Sequence, residues 1–352
     1  MKSKTLILIA GFVLAILFPG FPGLPGFPGL VRGQEEGGGR GGGGGGGQNQ
    51  PPPPAPETEA TAIAGVVAAG TKVQLIKEGF RDAQGATAAP DGSLLFAERS
   101  TNRIHKVDKD GNISTYMENT RGVHNFSFDS KGRAIGLRWD PAQVAVIAPT
   151  QTVLSDKFES AGFGRPKDLV IDKKGGVYFT DQLGIFAEGI GTGVYYVRPD
   201  GRTIKIPNDI SRPSGIMLSP DEKTLYVTDS VGTFIKMFDV QPDGNARNGR
   251  NFAEAYERRP THSLADGLAV DAAGRLYAAT YLGVLVFSPK GEQLGRIRIP
   301  RQPVNVAFAG PDKKTLYVLG AVLGLRDADS QPEFGSVYKI PMLAEGYKGR
   351  AK

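Results

Sequence analysis

One pattern recurs six times along this chain and limits what the chain can fold into: a tight turn followed by a short strand of β-branched, aromatic and small residues. In two clear copies, Asp172–Gly176 precedes VYFTD at Val177–Asp181, and Pro220–Glu222 precedes TLYVTD at Thr224–Asp229. The other four copies lie at Pro90–Ala97, Asp129–Leu137, Asp271–Thr280 and Pro311–Leu319. Short strands separated by turns of this kind are typical of antiparallel hairpins.

Each copy also has a short apolar strand before it, and most have another after it, as at Leu169–Ile171 and Val194–Val197. Four short strands therefore recur roughly every 40 to 50 residues between residues 71 and 342. No sustained helical period interrupts them. The sequence predicts an all-β fold, a six-bladed β-propeller with four-stranded antiparallel blades.

The chain before this repeat has a different composition. Lys2 and Lys4 precede the apolar run Leu6–Phe18, which is too short to span a bilayer and is typical of an export signal. Many of the 49 Gly and 25 Pro lie in the next forty or so residues, which predicts a flexible tether. We expect a signal peptide at residues 1–33, a disordered tether at 34–70, the propeller at 71–345 and a tail at 346–352.

This organisation predicts an exported protein, periplasmic or secreted, and membrane contact only if the N-terminal segment stays uncleaved as an anchor. The chain has no Cys, which excludes disulfides, thiolate metal sites and Cys nucleophiles. Its net charge of +6 is spread along the chain rather than gathered in Lys/Arg blocks, so nucleic acid is not an expected partner. No nucleophilic-Ser, zinc-protease or phosphate-loop motif is present.

The residues before each innermost strand are the candidates for a functional site, because in a propeller they meet at one end of the central channel. We call that end the mouth. The segments Arg165–Val170, Arg212–Ile216 and Ala265–Asp271, with the strands that follow them, resemble blades of the senescence marker protein/gluconolactonase family, which includes regucalcin and sugar lactonases. The resemblance extends over about residues 78–342 and implies the same propeller fold.

The resemblance also implies a calcium or zinc site at the mouth, held by a Glu, an Asn and an Asp from three blades, where the metal activates a lactone and water. Asp266 matches the Asp ligand, and Asp168 matches the second residue of a Pro-Asn-Asp motif beside the metal. Asn125 and Asn305 match polar residues of two other blades.

The departures from the family pattern lie at the metal ligands themselves. Gln84 stands where the family has its Glu, Ser214 where it has its Asn, and Lys167 where it has the first Asn of Pro-Asn-Asp. Two of three expected ligands are substituted and an ammonium lies next to the third, so no cofactor is firmly expected. Our hypothesis is a degenerate, metal-independent site in which Lys167 pairs with Asp266 or Asp168.

Each candidate also has a purely structural interpretation. Asp168 and Asp266 could cap turns, Lys167 could be a solvated loop residue, and Asn125 and Asn305 could satisfy backbone groups. His124 is expected to be a satisfied polar core residue rather than a general base. Trp139 and the following Asp140-Pro141 are expected to serve packing and a turn.

Two functions remain open. The first is a hydrolase of a small lactone, ester or sugar-acid-like substrate, with Asp266, Asp168 and Lys167 catalytic and Gln84, Asn125, Ser214 and Asn305 contacting the ligand. The second is a non-catalytic ligand- or protein-binding propeller that has lost the family's metal-dependent activity.

Overall fold

The computed structural model describes residues 53, 55–182, 192–255, 265–322 and 334–351. The predicted signal peptide and most of the predicted tether lie outside these residues. Across the described residues, regular structure consists of 27 β-strands and one 3₁₀ turn at Arg99–Thr101. None of the helical structure described there is long and apolar enough to cross a membrane.

The strands are numbered in chain order. The first half comprises β1 (Thr58–Ala60), β2 (Thr71–Arg81), β3 (Ala83–Ala88), β4 (Leu94–Glu98), β5 (Arg103–Val107), β6 (Ile113–Glu118), β7 (Val123–Phe128), β8 (Ala134–Trp139), β9 (Ala142–Ala148), β10 (Thr152–Ser155), β11 (Lys157–Phe158), β12 (Ala161–Gly162), β13 (Arg165–Ile171) and β14 (Val177–Gln182). The second half comprises β15 (Gly193–Val197), β16 (Thr203–Ile206), β17 (Pro213–Leu218), β18 (Thr224–Asp229), β19 (Phe234–Val240), β20 (Ala246–Glu254), β21 (Leu268–Val270), β22 (Leu276–Thr280), β23 (Gly283–Phe287), β24 (Gln293–Ile297), β25 (Gln302–Ala309), β26 (Thr315–Val322) and β27 (Phe334–Pro341).

These strands form six antiparallel blades, which confirms the predicted six-bladed propeller. Blades one to five are β3–β6, β7–β10, β13–β16, β17–β20 and β21–β24, and β11–β12 form a separate small hairpin. The sixth blade has the strand order β1-β2-β27-β26-β25, so strands from both ends of the chain pair within one sheet. This pairing closes the ring.

Blade packing explains the sequence pattern of the strands. The second strand of a blade is covered on both faces by neighbouring blades, and β4 and β14 are accordingly buried along their whole length. The outer strand β6 is mostly exposed. Buried aromatic side chains such as Phe96, Tyr178 and Tyr277 fill the space between blades.

The recurring turns join the first two strands of each blade, as the sequence indicates. In the third blade, Asp172 Oδ1 accepts hydrogen bonds from the backbone N–H of Lys174 (2.9 Å) and Gly176 (2.8 Å), while Gly175 adopts a φ of 86°. Asp129 and Asp271 accept the equivalent bonds in two other blades. In these three blades a carboxylate at the first position and a glycine at the left-handed position account for the turn, whereas Glu222 and Lys313 occupy the left-handed position in the fourth and sixth blades.

The folded unit begins before residue 71, contrary to the tether predicted for residues 34–70. β1 pairs with β2, and Ile63, Val66 and Val67 are buried in the apolar cluster between the fifth and sixth blades. Their side chains bury apolar area, which offsets the entropy of ordering the segment. The Gly/Pro-rich composition that predicted a tether ends near residue 56.

The C-terminal residues pack across the end of the propeller opposite the mouth. The Arg350 guanidinium is buried there and donates hydrogen bonds to the carbonyls of Leu218 (2.8 Å) and Ser219 (2.9 Å) in the fourth blade. Tyr347 N–H donates to Val270 O of the fifth blade, and the backbone N–H of Ala88 in the first blade donates to Ala351 O. The tail thus joins several blades.

Candidate functional site

Each of the six blades contributes one residue, at the equivalent position of its first strand, to the same end of the channel. In each blade, the start of the first strand pairs with the end of the second strand, and the residue in question is the next one along the first strand. In the third blade, for example, Pro166 pairs with Asp181, and Lys167 follows Pro166. We call this set the mouth ring: Gln84, His124, Lys167, Ser214, Asp266 and Val304. Residues separated by 38 to 52 positions in the sequence therefore meet at one end of the channel.

Lys167 and Asp266 form an ion pair across the mouth ring. Lys167 Nζ lies 3.2 Å from Asp266 Oδ2, and Ser214 Oγ donates a hydrogen bond of 2.8 Å to Asp266 Oδ1. The side chains of Lys167 and Asp266 are 14% and 18% exposed, whereas Ser214 is buried. Side chains from the third, fourth and fifth blades thus converge on one carboxylate that solvent still reaches.

Asp168 lies one residue further along β13 and has a different environment. It is buried, and its carboxylate accepts hydrogen bonds from Asn125 Nδ2 (2.7 Å), Leu169 N (2.9 Å) and Ile216 N (3.1 Å). These donors come from the second, third and fourth blades. Asp168 therefore links three blades, and its oxygens are already engaged by protein donors.

Gln84, Asn125 and Asn305 are also buried near the channel axis. Within the part of the chain that the structure describes, the side-chain oxygen of each lacks a hydrogen-bond partner. Gln84 occupies the mouth ring at the same level as Lys167, Ser214 and Asp266. The structure therefore brings Lys167, Ser214 and Asp266 into direct contact, while Gln84 belongs to the same ring on the first blade.

His124 differs from the expectation of a satisfied polar core residue. Its ring is buried and stacks on Trp139 with centroids 4.3 Å apart, yet among the described residues neither ring nitrogen has a hydrogen-bond partner. Burial, reinforced by the nearby charges of Lys167 and Arg99, holds the pKa of His124 well below its usual range. The imidazole is therefore neutral at physiological pH.

Trp139 has a larger role at the mouth than packing alone. The guanidinium carbons of Arg99 and Arg165 lie 4.4 and 5.3 Å from its ring centroid, and its Nε1 donates to Pro166 O at 2.8 Å. Asp82 Oδ2 lies 2.6 Å from Arg99 Nε. Sequence reasoning missed this cluster, although an Arg at the end of one strand and another at the start of β13 were visible signals.

The residues present do not fit the divalent cation that the resemblance implies. Asp266 is the only acidic side chain of the mouth ring, and Lys167 Nζ lies 3.2 Å from its Oδ2. The ammonium therefore already pairs with the carboxylate that a divalent cation would have to bind, and it would repel that cation. Over residues 53–351, apart from the undescribed gaps, no group of three His, Asp or Glu side chains is arranged to hold a metal ion.

Comparison with known proteins places this geometry in context. A gluconolactonase from Zymomonas mobilis is 28% identical over 280 residues, which cover 70% of this chain and 78% of that protein. The lactonase drp35 of Staphylococcus aureus is 39% identical over 136 residues, covering 38% of this chain and 41% of that protein. The matched part is therefore less than half of the second relative.

Solved structures share the fold. A gluconolactonase from Xanthomonas campestris superimposes with a TM-score of 0.67 and 22% identity, over 82% of this chain and 98% of that one. The sequence profile of the SMP-30/Gluconolactonase/LRE-like region matches residues 82–322, which is more than half of the chain. The chain therefore belongs to the SMP-30/gluconolactonase/LRE-like family.

Proposed function

We propose that this chain is an exported hydrolase of a small lactone or ester that acts at the Lys167–Asp266 pair without a divalent cation. Family membership and two lactonase relatives support the reaction class. The observation that carries the proposal is the ion pair itself, a cation and a carboxylate 3.2 Å apart, partly open to solvent at the mouth of the channel.

The pair supplies the two groups that lactone hydrolysis needs. Asp266 accepts a proton from water as the water oxygen bonds to the carbonyl carbon, and the Lys167 ammonium stabilises the negative charge that develops on the carbonyl oxygen. The ring C–O bond then breaks, and the proton passes from Asp266 to the departing alkoxide. The products are a hydroxyl group and a carboxylic acid on one molecule, and the acid then releases its proton to solvent as it ionises.

The surrounding residues position this pair. Ser214 holds Asp266 in place through its 2.8 Å hydrogen bond. Asp168 supports the site indirectly, because its bonds to Asn125 and Ile216 fix the strands that carry Lys167 and Ser214. Gln84, Asn125 and Asn305 remain proposed ligand contacts, supported by their unpartnered oxygens in the described part of the channel.

Steady-state hydrolysis of δ-gluconolactone and a panel of other lactones and esters, with and without EDTA, tests the proposal. Lys167→Met and Asp266→Asn are each expected to lower kcat by about 100-fold or more, because each removes a group that acts in the transition state. Lys290→Met, in an exposed hairpin turn, is the matched control and leaves turnover unchanged. Turnover abolished by EDTA would contradict the metal-free site.

The alternative is a binding propeller without catalytic activity. It is favoured by one observation: two cavities of the described structure, with volumes of about 300 and 600 Å³, are lined by neither Lys167 nor Asp266. Absence of turnover across the whole panel, together with ligand binding to the folded protein, would favour this alternative over the hydrolase.

Export is the part of the proposal that rests on sequence alone. The basic and apolar segments at Lys2–Phe18 support it. We expect the protein in the periplasm or the medium, and its intact mass shows whether residues 1–33 have been removed. Recovery from the cytoplasm with the full mass would contradict export.

A further inference from the structure

Two buried threonines connect the blades whose mouth residues contact one another. Thr180 lies in β14 and Thr228 in β18, each directly before an Asp at the end of its strand, and both are fully buried. In both blades the ladder between the first and second strands shifts register opposite the threonine. Such a bulge leaves backbone groups that the ladder does not pair, so they need partners from elsewhere.

The Thr180 hydroxyl joins the third blade to the fourth. Its Oγ1 accepts a hydrogen bond from the backbone N–H of Asp168 (3.1 Å) and donates one to the backbone carbonyl of Ser214 (2.5 Å). The hydroxyl has one proton to donate, and the carbonyl of Asp168, at 3.5 Å, is the more distant acceptor. Because Asp168 directly follows Lys167, this hydroxyl ties the backbone beside the ammonium to the backbone of Ser214.

The Thr228 hydroxyl repeats this arrangement between the fourth and fifth blades. It accepts a hydrogen bond from Gly215 N at 2.7 Å and donates one to Asp266 O at 3.1 Å, while Gly215 O is farther away at 3.5 Å. Gly215 has no Cβ, and a Cβ at this position would lie only 2.1 Å from Asp266 O. The two threonines therefore link the third, fourth and fifth blades at the level of the mouth ring.

The placement of these hydroxyls is selective. In the other four blades the equivalent residue of the second strand is apolar and fully buried: Ala97, Leu137, Ala279 and Leu319. Burying a hydroxyl costs free energy that a buried apolar group does not, unless the hydroxyl is hydrogen-bonded, so packing alone favours the apolar residue. Among the six described second strands, the hydroxyl is present at this position in the two that precede Ser214 and Asp266 around the ring.

We propose that Thr180 and Thr228 are positioning residues, which hold the mouth residue of the next blade at the geometry that hydrolysis requires. This inference rests on the proposed function, because positioning affects a rate only if the Lys167–Asp266 pair acts on a substrate. Thr228 fixes the backbone from which the Asp266 carboxylate extends, and the 2.8 Å bond from Ser214 Oγ fixes the carboxylate itself. A shift of about 1 Å in a reacting group can lower a rate about 100-fold.

Thr228→Val and Thr228→Ser test the inference in steady-state hydrolysis of the best substrate of the lactone panel. Val has the shape of Thr without the hydroxyl, so we expect kcat to fall about tenfold and KM to change by less than about twofold. Ser keeps the hydroxyl and should retain most of the activity. Thr180→Val should lower kcat in the same way as Thr228→Val, because it releases the backbone of Ser214.

Thr280→Val is the matched control, and a double-mutant cycle adds a second one. Thr280 is also fully buried in a second strand, but its hydroxyl donates to Gly283 O (2.9 Å) of its own blade. Its replacement should lower the melting temperature about as much as Thr228→Val and leave kcat unchanged. In an Asp266→Asn background, Thr228→Val should lower kcat no further, because it acts through that carboxylate. Losses that add in this background, or equal loss of kcat in the two Val variants, would overturn the inference.

The crystal structure of Thr228→Val gives a readout that needs no turnover. We expect the distance from Ser214 Oγ to Asp266 Oδ1 to exceed about 3.5 Å, which is beyond hydrogen-bond range. Retention of the 2.8 Å bond would contradict the positioning role. If the unmodified protein hydrolyses no lactone while this distance lengthens in the variant, the proposed hydrolysis fails and the positioning of Asp266 by Thr228 stands, so the two failures are distinguishable.

Discussion

At the scale of single residues, the mouth shows how one ammonium group changes the chemistry that its neighbours can support. Lys167 beside Asp266 places two opposite charges 3.2 Å apart, and Ser214 completes the contacts of the carboxylate. The sequence predicted that Lys167 pairs with Asp266 or Asp168, and the ion pair in the structure is with Asp266. The hydrogen bonds of Asp168 were not predictable from sequence. One of the donors, Ile216 N, lies 48 residues away, and this bond depends on how β13 and β17 approach each other.

His124 shows the limit of reasoning from residue type. A buried imidazole normally has a hydrogen-bond partner, but here neither ring nitrogen has one among the described residues, and burial together with the nearby positive charges lowers the pKa of the ring, which stacks on Trp139. Such an environment arises from three blades at once, and no local sequence pattern encodes it.

Asp181 provides a test of electrostatics at the same scale. Burial raises its pKa to about 7, partly opposed by hydrogen bonds from the backbone N–H of Gly164 and two neighbours. The folded protein therefore keeps a proton that the unfolded chain loses near the ordinary aspartate pKa of 3.8, so this group's stabilising contribution is lost as pH rises from about 4 to 7. The loss amounts to about 4 kcal/mol.

Urea unfolding of the unmodified protein and of Asp181→Asn between pH 5 and 8 measures this contribution. We expect the variant to become more stable relative to the unmodified protein as pH rises across that range, because Asn does not titrate. Asp200→Asn, in an exposed hairpin turn, should show no such trend. A pH-independent difference for Asp181→Asn would contradict the raised pKa.

At the scale of elements, the first strands of adjacent blades approach one another so closely that side chains are excluded at certain positions. A Cβ at Gly215 would overlap the carbonyl oxygen of Asp266, and one at Gly267 would meet the side chain of Asn305. The sequence predicted these strands and their turns from periodicity alone. It did not predict the contacts between strands, because those depend on the radius at which the ring closes.

Gly215→Ala tests this approach. The added methyl forces β17 away from Asp266, so we expect a loss of about 1–3 kcal/mol in the free energy of unfolding and reduced lactone turnover. Gly162→Ala is the matched control, because its Cβ would have no neighbour closer than 3.9 Å. Equal stability of the two variants would contradict the close approach of β17 to Asp266.

At the scale of the whole molecule, the ring is held together by contacts that the repeat pattern alone does not contain. The six blades, their order and the mouth end were predictable, since each copy carries its own turns and strands. The burial of β1 and Ile63–Val67 and the packing of the C-terminal tail were not, because these segments lie outside the repeat and have no periodic signature.

Substitution of Arg350 tests whether the C-terminal tail stabilises the propeller. Arg350→Ala leaves the carbonyls of Leu218 and Ser219 without their donor, and we expect a loss of about 2–4 kcal/mol in the free energy of unfolding. Arg247→Ala, on an exposed stretch of β20, should change it by less than about 0.5 kcal/mol. A small effect of Arg350→Ala in thermal or urea unfolding would mean that the tail does not stabilise the ring.

The pairing of β2 with β27 has a consequence for how the protein is made. These strands lie some 260 residues apart in the sequence, so their contact carries a large loop-closure cost and forms late. A nascent chain that has emerged only as far as β26 holds β2 without its partner and leaves the flanks of the first and last blades uncovered. Exposed strand edges of that kind invite aggregation, so the ring is protected only once Pro341 has left the ribosome.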